Sequence, residues 1–131
     1  MMNNTVDLND KIARHIKRSQ IINGTIQASA FYLRTKEPAL SGDSLNFIDS
    51  HNTENALSIL YNDVLPKRKF NPTGYLAIFE YSKFREFFSF SIYFDGKDSH
   101  VAIPIERDHL EHSETLAKIC QISYPLTARL T

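Results

Sequence analysis

Apolar and polar residues recur along this chain in two rhythms, and each switch from one to the other marks a new element. Near the start, Leu8, Ile12 and Ile16 fall at helical spacing among Lys11, Arg14, Lys17 and Arg18, with Asp7 or Asn9 placed to accept from the first free amides. The spacing predicts a short amphipathic helix, preceded by a flexible tail over residues 1–6. From Ile21 the pattern turns extended. Ile21-Ile22, the Asn23-Gly24 turn and the run from Thr25 to Arg34 favour β-branched and aromatic residues over helix formers, which predicts a hairpin with a short first strand. Lys36-Glu37-Pro38 stops the run, because proline lacks a backbone donor and restricts its predecessor. Residues 35–52 then read as a loop with at most one short strand, from Leu45 to Ile48.

A second helix is predicted from Asn52 or Thr53 to about Asp63, with Leu57, Leu60, Tyr61 and Val64 on one face and Pro66 closing it. Residues 67–74 have the polar, Pro/Gly-containing make-up of an exposed connection. Tyr75 to Tyr81 is apolar on both sides of a two-residue repeat except at Glu80, as in a central strand covered on both faces. Ser89 to Phe94 sets Phe90, Ile92 and Phe94 against Ser89, Ser91 and Tyr93. After a turn at Asp95-Gly96-Lys97-Asp98, the stretch from His100 to Ile105 points Val101, Ile103 and Ile105 one way and His100, Ala102 and Pro104 the other; Pro104 suggests an edge strand. The last helix begins near Asp108, where Glu111 completes a capping box, and carries Leu116, Ile119, Cys120 and Ser123 on one face as far as Tyr124-Pro125. Strands adjacent in sequence and joined by short turns pair antiparallel. The predicted fold is α+β, a small antiparallel sheet packed by two or three helices in a single domain over residues 1–131.

Composition narrows the class. A chain of 131 residues with 42% hydrophobic and 23% charged residues suits one soluble globular domain, and six tyrosines and nine phenylalanines supply a core that a disordered chain would lack. Fifteen basic residues balance fifteen acidic ones, so any attraction for a polyanion has to be local. Cys120 stands alone, which rules out an intramolecular disulfide, provides too few thiolates for a zinc site of that kind, and fits a reducing cytoplasm. The start lacks the blocks of a signal peptide, and no stretch reaches the roughly 20 apolar residues of a membrane span, so no membrane partner is expected.

The common catalytic signatures are missing: no Gly-rich phosphate loop, no G-x-S-x-G elbow, no H-E-x-x-H and no cysteine zinc spacing, so neither a cofactor nor a metal is expected. Four residues remain as candidates. Arg34, at the end of the extended run, offers a guanidinium fork for a carboxylate or phosphate; Glu37 has the spacing to orient it or to act as a base, and Ser41 precedes Gly42 in what reads as a turn. A surface ion pair between Arg34 and Glu37, and a serine bonded to its own turn, explain the same residues. His100, opening a strand after the glycine-containing turn, is placed to exchange a proton or to meet an anion; the plain alternative is a half-exposed strand end. His109 and His112, three apart, have the spacing of two metal ligands but no third, and also suit a solvated helix start. His15 and His51 read as exposed, and Cys120 as a small core residue. The basic first helix and Lys67-Arg68-Lys69, with Tyr61 and Phe70 nearby, combine charge and rings as RNA or single-stranded DNA binding requires, and as any solvated face would.

The string Ala30-Phe31-x-x-Arg34-x-x-Glu37-x-x-Leu40-Ser41, followed by Ser99-His100-Val101-Ala102-Ile103 and a helix containing Leu116-Ala117, resembles a small uncharacterised bacterial family. The resemblance implies emphasis on Arg34, Glu37, Ser41 and His100 and brings no established activity. Where members would continue the serine with Val and an acid, this chain has Gly42-Asp43. Two readings follow. In one, the chain is a small cytoplasmic protein-binding or accessory module of an immunity, antitoxin-like or regulatory kind, whose aromatic sheet and helices present a face to another protein. In the other, it is a small enzyme or binder acting on RNA or a phosphate-containing nucleotide, with His100 as acid or base, Arg34 holding the anion and Glu37 positioning one of them. The first is preferred because no catalytic spacing stands out.

Overall fold

The computed structural model describes residues 4–33, 38–68, 74–105 and 110–123. Among them, six strands form one antiparallel sheet in the order β6 (Tyr93–Phe94), β7 (His100–Ile103), β4 (Leu40–Ser44), β1 (Lys11–Ile16), β5 (Tyr75–Glu80) and β8 (Gln121–Ser123). Two more, β2 (Ile21–Ile22) and β3 (Thr25–Ile26), make a separate hairpin. Four α-helices join them: α1 (Leu45–Ile48), α2 (Thr53–Ile59), α3 (Tyr81–Phe87) and α4 (Leu110–Ile119). The fold is α+β with a small antiparallel sheet, as the alternation of apolar and polar residues predicts.

Cross-strand register sorts the sheet into two faces, because residues opposite one another point the same way. Ile12 lies opposite Phe79 and Ser44, and Gly42 opposite Val101. That face, with Ile16, Leu40, Ala77 and Ile103, packs under α3, α4 and the Ala28–Phe31 turn in the larger apolar cluster. The other face carries Ala13 and Leu76, which meet Leu45, Ala56, Leu57, Leu60 and Leu65 from α1, α2 and the segment after them. The sheet is therefore a middle layer between two helical ones.

Several expectations need correction. The first segment is a strand at the centre of the sheet, not an amphipathic helix. Ile12 and Ile16 are four apart, an interval that fits a period of 2 as well as 3.6, and burial of Ala13 on the opposite face settles the choice; Leu8 is exposed and joins neither. Local propensity of Lys, Ala and Arg favours helix, but pairing on both sides overrides it. The extended run after Asn23-Gly24 breaks at Ala28, where a short 3-10 turn buries Ala30 and Phe31. The turn itself forms as expected, with Asn23 at φ 52 and Gly24 at φ 76. Within the supposed loop, residues 40–44 form β4, and residues 45–48 are helix α1. Its cap is Ser44, whose hydroxyl accepts from the Phe47 amide. Pro104 lies beyond the end of β7, which sits between β6 and β4 and is not an edge.

Other expectations hold. Asn52 caps α2, which continues as a π-helical turn over Leu60–Val64 before Pro66. Tyr75–Glu80 is an inner strand. Phe90, Ile92 and Phe94 pack inward while Ser89 and Tyr93 are exposed, although only Tyr93–Phe94 is regular strand. Two further expectations are corrected: the last helix, expected to carry Ser123 on its face as far as Tyr124-Pro125, ends at Ile119, and Gln121–Ser123 form strand β8, while the expected helix start near Asp108 falls outside the described residues. Residues 4–6, read as part of a tail, run along β6: the Val6 amide donates to the Ile92 carbonyl (3.1 Å) and the Phe94 amide to that of Asn4 (2.7 Å).

Candidate functional site

Of the four candidates from the sequence, only Ser41 and His100 fall among the described residues. Arg34 and Glu37 lie outside the described residues. Ser41 and His100 stand on neighbouring strands: Ser41 is opposite Ala102 and His100 opposite Asp43, so the two share a face on a diagonal, with no hydrogen bond between them. Ser41 serves the sheet through its backbone, its carbonyl accepting from Arg14 Nη1 at 2.8 Å. It is in a strand, not a turn. The His100 ring meets Asp95 across the hairpin, Nδ1 lying 2.5 Å from Oδ1, and its amide donates to Asp98 at 3.0 Å. This arrangement fixes the ring and leaves Nε2 without a partner among the described residues.

Beside His100 lies a buried polar network that the sequence reading did not nominate. Asp43, 5% exposed, accepts from Ser99 Oγ and Arg68 Nη1, both at 2.8 Å. Arg68 Nη2 is 3.5 Å from Asp98. The His100 amide first, and then Arg68, hold the Asp98 carboxyl below the usual carboxylate range. Two carboxylates thus flank one guanidinium, and the Ser99 hydroxyl donates to one of them, Asp43; the arrangement ties the turn after β6 to the segment after α2.

Two of the basic residues expected to form a patch are engaged within the fold. Arg14 is half-buried, its Nε donating to the Ala30 carbonyl at 2.9 Å, and Arg68 is enclosed by aspartates. Arg18 donates to the Tyr75 hydroxyl, Tyr61 packs in the second cluster, and Lys69 and Phe70 lie outside the described residues. There is no basic helix to present. His112 meets Phe88 and Phe90 edge-on at 5.2 and 5.7 Å, while His109 is outside the described residues. Among the described residues, no group of three or more His, Cys, Asp or Glu is placed to hold a metal. His51 is exposed, whereas His15 is half-buried with its Nε2 where a Cβ on Gly74 would sit. Burial pushes the Cys120 thiol well above its ordinary range, in keeping with a packing role.

A concave surface lies at the far margin of the sheet. A groove of about 690 Å³ opens where β1, β5 and β8 end beside α2. Leu57, Ile78, Ile119 and Ile122 give it apolar walls; Lys11, Lys83, Glu54 and Glu80 rim it, Lys11 lying opposite Glu80 in the sheet. No helix among the described residues is long and apolar enough to cross a membrane. Compared with known proteins, the chain matches no family model, no curated protein and no solved structure.

Proposed function

We propose that the protein is a small protein-binding or accessory module, of an immunity, antitoxin-like or regulatory kind, working in the cytoplasm, and that it meets its partner at the groove beside β8. The observation that carries this reading is the groove's make-up. Its apolar walls and balanced charged rim resemble the centre and margin of a protein interface, and its charges form no cluster of one sign such as a phosphate backbone requires. Affinity capture from the native cells tests it. Proteins retained by the wild type and lost with Glu80→Lys/Lys83→Glu support the reading, while identical profiles from both sink it.

A second reading has one observation in its favour. An imidazole held by a carboxylate at Nδ1 and unpartnered at Nε2, as in the His100–Asp95 pair, is suited to accept or donate a proton, so an enzyme or binder directed at RNA or a nucleotide through Arg34, Glu37 and His100 is the alternative. Turnover of RNA or nucleotides by the wild type, lost in Arg34→Ala/His100→Ala, would put this reading first.

A further inference from the structure

The outer side of β6 is covered by a short strap, residues 4–6 of the same chain. The strap lies antiparallel to β6, with Thr5 opposite Tyr93, the Val6 amide donating to the Ile92 carbonyl and the Phe94 amide to that of Asn4. Val6 is buried in the larger core cluster, whereas Asn4 is exposed and Thr5 half-buried. From Asp7 onward the chain is fastened: the Asp10 amide donates to the Asp7 carbonyl at 2.9 Å, the Ser82 amide to the Leu8 carbonyl at 3.0 Å, and Asn46 Nδ2 to Asn9 Oδ1 at 3.3 Å. On its inner side β6 is held by β7, Tyr93 lying opposite Ala102 and Phe94 opposite Val101. The strap can therefore leave the edge without breaking the bonds that hold the strand beneath it or the hinge behind it. Exposed apolar side chains gather at the same margin: Leu8, Tyr93 and Phe47, whose ring stands 5.8 Å from that of Phe94.

We infer that this edge is a docking site for an extended segment of a protein partner, and that residues 4–6 are an internal stand-in which such a segment displaces. It is a second surface, independent of the groove. The occupant's chemistry is read from what is seated there: a backbone that pairs antiparallel with Ile92 and Phe94, and a branched apolar side chain where Val6 enters the core. Strand addition at a sheet edge works in this way, main-chain bonds supplying affinity and side-chain pockets supplying selectivity. A segment longer than the strap makes the same bonds and adds contact with Phe47, Tyr93 and Leu8, exposed groups of the kind that interfaces bury. The tether works against it. A strap on a short linker competes at an effective concentration on the order of millimolar, so a free segment replaces it only by using that added contact or once the strap is loosened. The arm of a second copy makes no edge contact that the chain's own lacks, and so gains nothing over the tethered one.

Native-state hydrogen exchange on the full chain reads the opening. The Val6 and Phe94 amides are expected to exchange about tenfold or more faster than those of β1, through an opening that leaves β1 protected. Exchange of the two only together with β1 overturns the inference. Occupancy is read by the anisotropy of a labelled peptide with the sequence of residues 1–8, titrated with the full chain. Val6→Asp in the chain loosens the strap, because its charge resists burial, and is expected to tighten peptide uptake about tenfold or more over wild type. Protection of β1 shows that the variant is folded; if it is not, Val6→Ala takes its place. The peptide carrying Val6→Asp should bind neither chain. No uptake by the loosened chain, or uptake indifferent to the peptide's valine, overturns the inference. So does a wild-type mass of two chains that is lost with Val6→Asp, which assigns the edge to arms exchanged between copies. The groove variant Glu80→Lys/Lys83→Glu is expected to leave peptide uptake unchanged, so that the failure of either surface is told apart from the failure of the other.

Discussion

A carboxylate with 5% of its surface exposed is tolerable only while its partners stay in place, and Asp43 has two, Arg68 and Ser99. Asp43→Ala removes the acceptor for both and leaves a largely enclosed guanidinium. We expect a loss of about 2–3 kcal/mol in unfolding free energy, tempered by the exposed part of Arg68. Adding Arg68→Met should recover part of that loss, so a double-mutant cycle in denaturant is predicted to show clear non-additivity. Asp10, equally buried, gives a pH prediction. Its carboxyl accepts from Ser44 Oγ and the Asn46 amide, but burial outweighs both and raises its pKa above the ordinary 3.8. The folded chain then binds this proton more tightly than the unfolded one, so the associated stability is fully present below the unfolded value and is lost as pH rises through the folded one. Denaturation of wild type and Asp10→Asn across the acid range should therefore show the wild type losing ground to the variant with rising pH. A constant difference between the two would remove Asp10 as the cause.

Within elements, the two informative glycines act for different reasons. Gly24 holds a positive φ in open space, so Gly24→Ala carries a conformational cost alone, about 1 kcal/mol. Gly42 has no such φ, yet a Cβ there would lie 3.0 Å from Ile12 Cγ2, 3.1 Å from Ile103 Cδ1 and 3.2 Å from the Ala13 carbonyl. Gly42→Val should cost more, about 2–3 kcal/mol in urea unfolding, because the methyls closing over β4 and the backbone behind them have no room to retreat. At this pair the glycine admits Ile12 and Ile103, and the aspartate beside it reaches Arg68. The same elements mark what the sequence could disclose. Alternation exposes Tyr75–Glu80 and the inward set Phe90, Ile92 and Phe94, and a turn at 95–98 already implies that Asp95 and His100 meet, since a hairpin brings its ends together. Nothing local distinguishes Ile12 and Ile16 on a strand from the same pair on a helix. Asp43 with Arg68 is a contact 25 residues apart, and it depends on where α2 leaves the chain.

At the scale of the whole molecule, the layered sheet is covered at its β6 margin by residues 4–6, whereas no described strand pairs with the outer side of β8. The groove was illegible in sequence for the same kind of reason: it exists only where α2 lies over a face whose last strand, β8, follows α4 from the far end of the chain. Removing residues 1–6 deprives β6 of two backbone hydrogen bonds and exposes the face on which Val6 is now buried. Two net hydrogen bonds and one valine side chain together represent about 3 kcal/mol, part of which is returned as backbone freedom by the released residues. The truncated chain should unfold at a lower denaturant midpoint and, with the outer side of β6 newly unpaired, associate through a margin that the intact chain keeps covered. Sedimentation of the truncated chain over a range of concentrations reads that association directly. If truncation leaves both midpoint and mass unaltered, residues 4–6 lie on the sheet without stabilising it, and the contrast between the two margins loses its force.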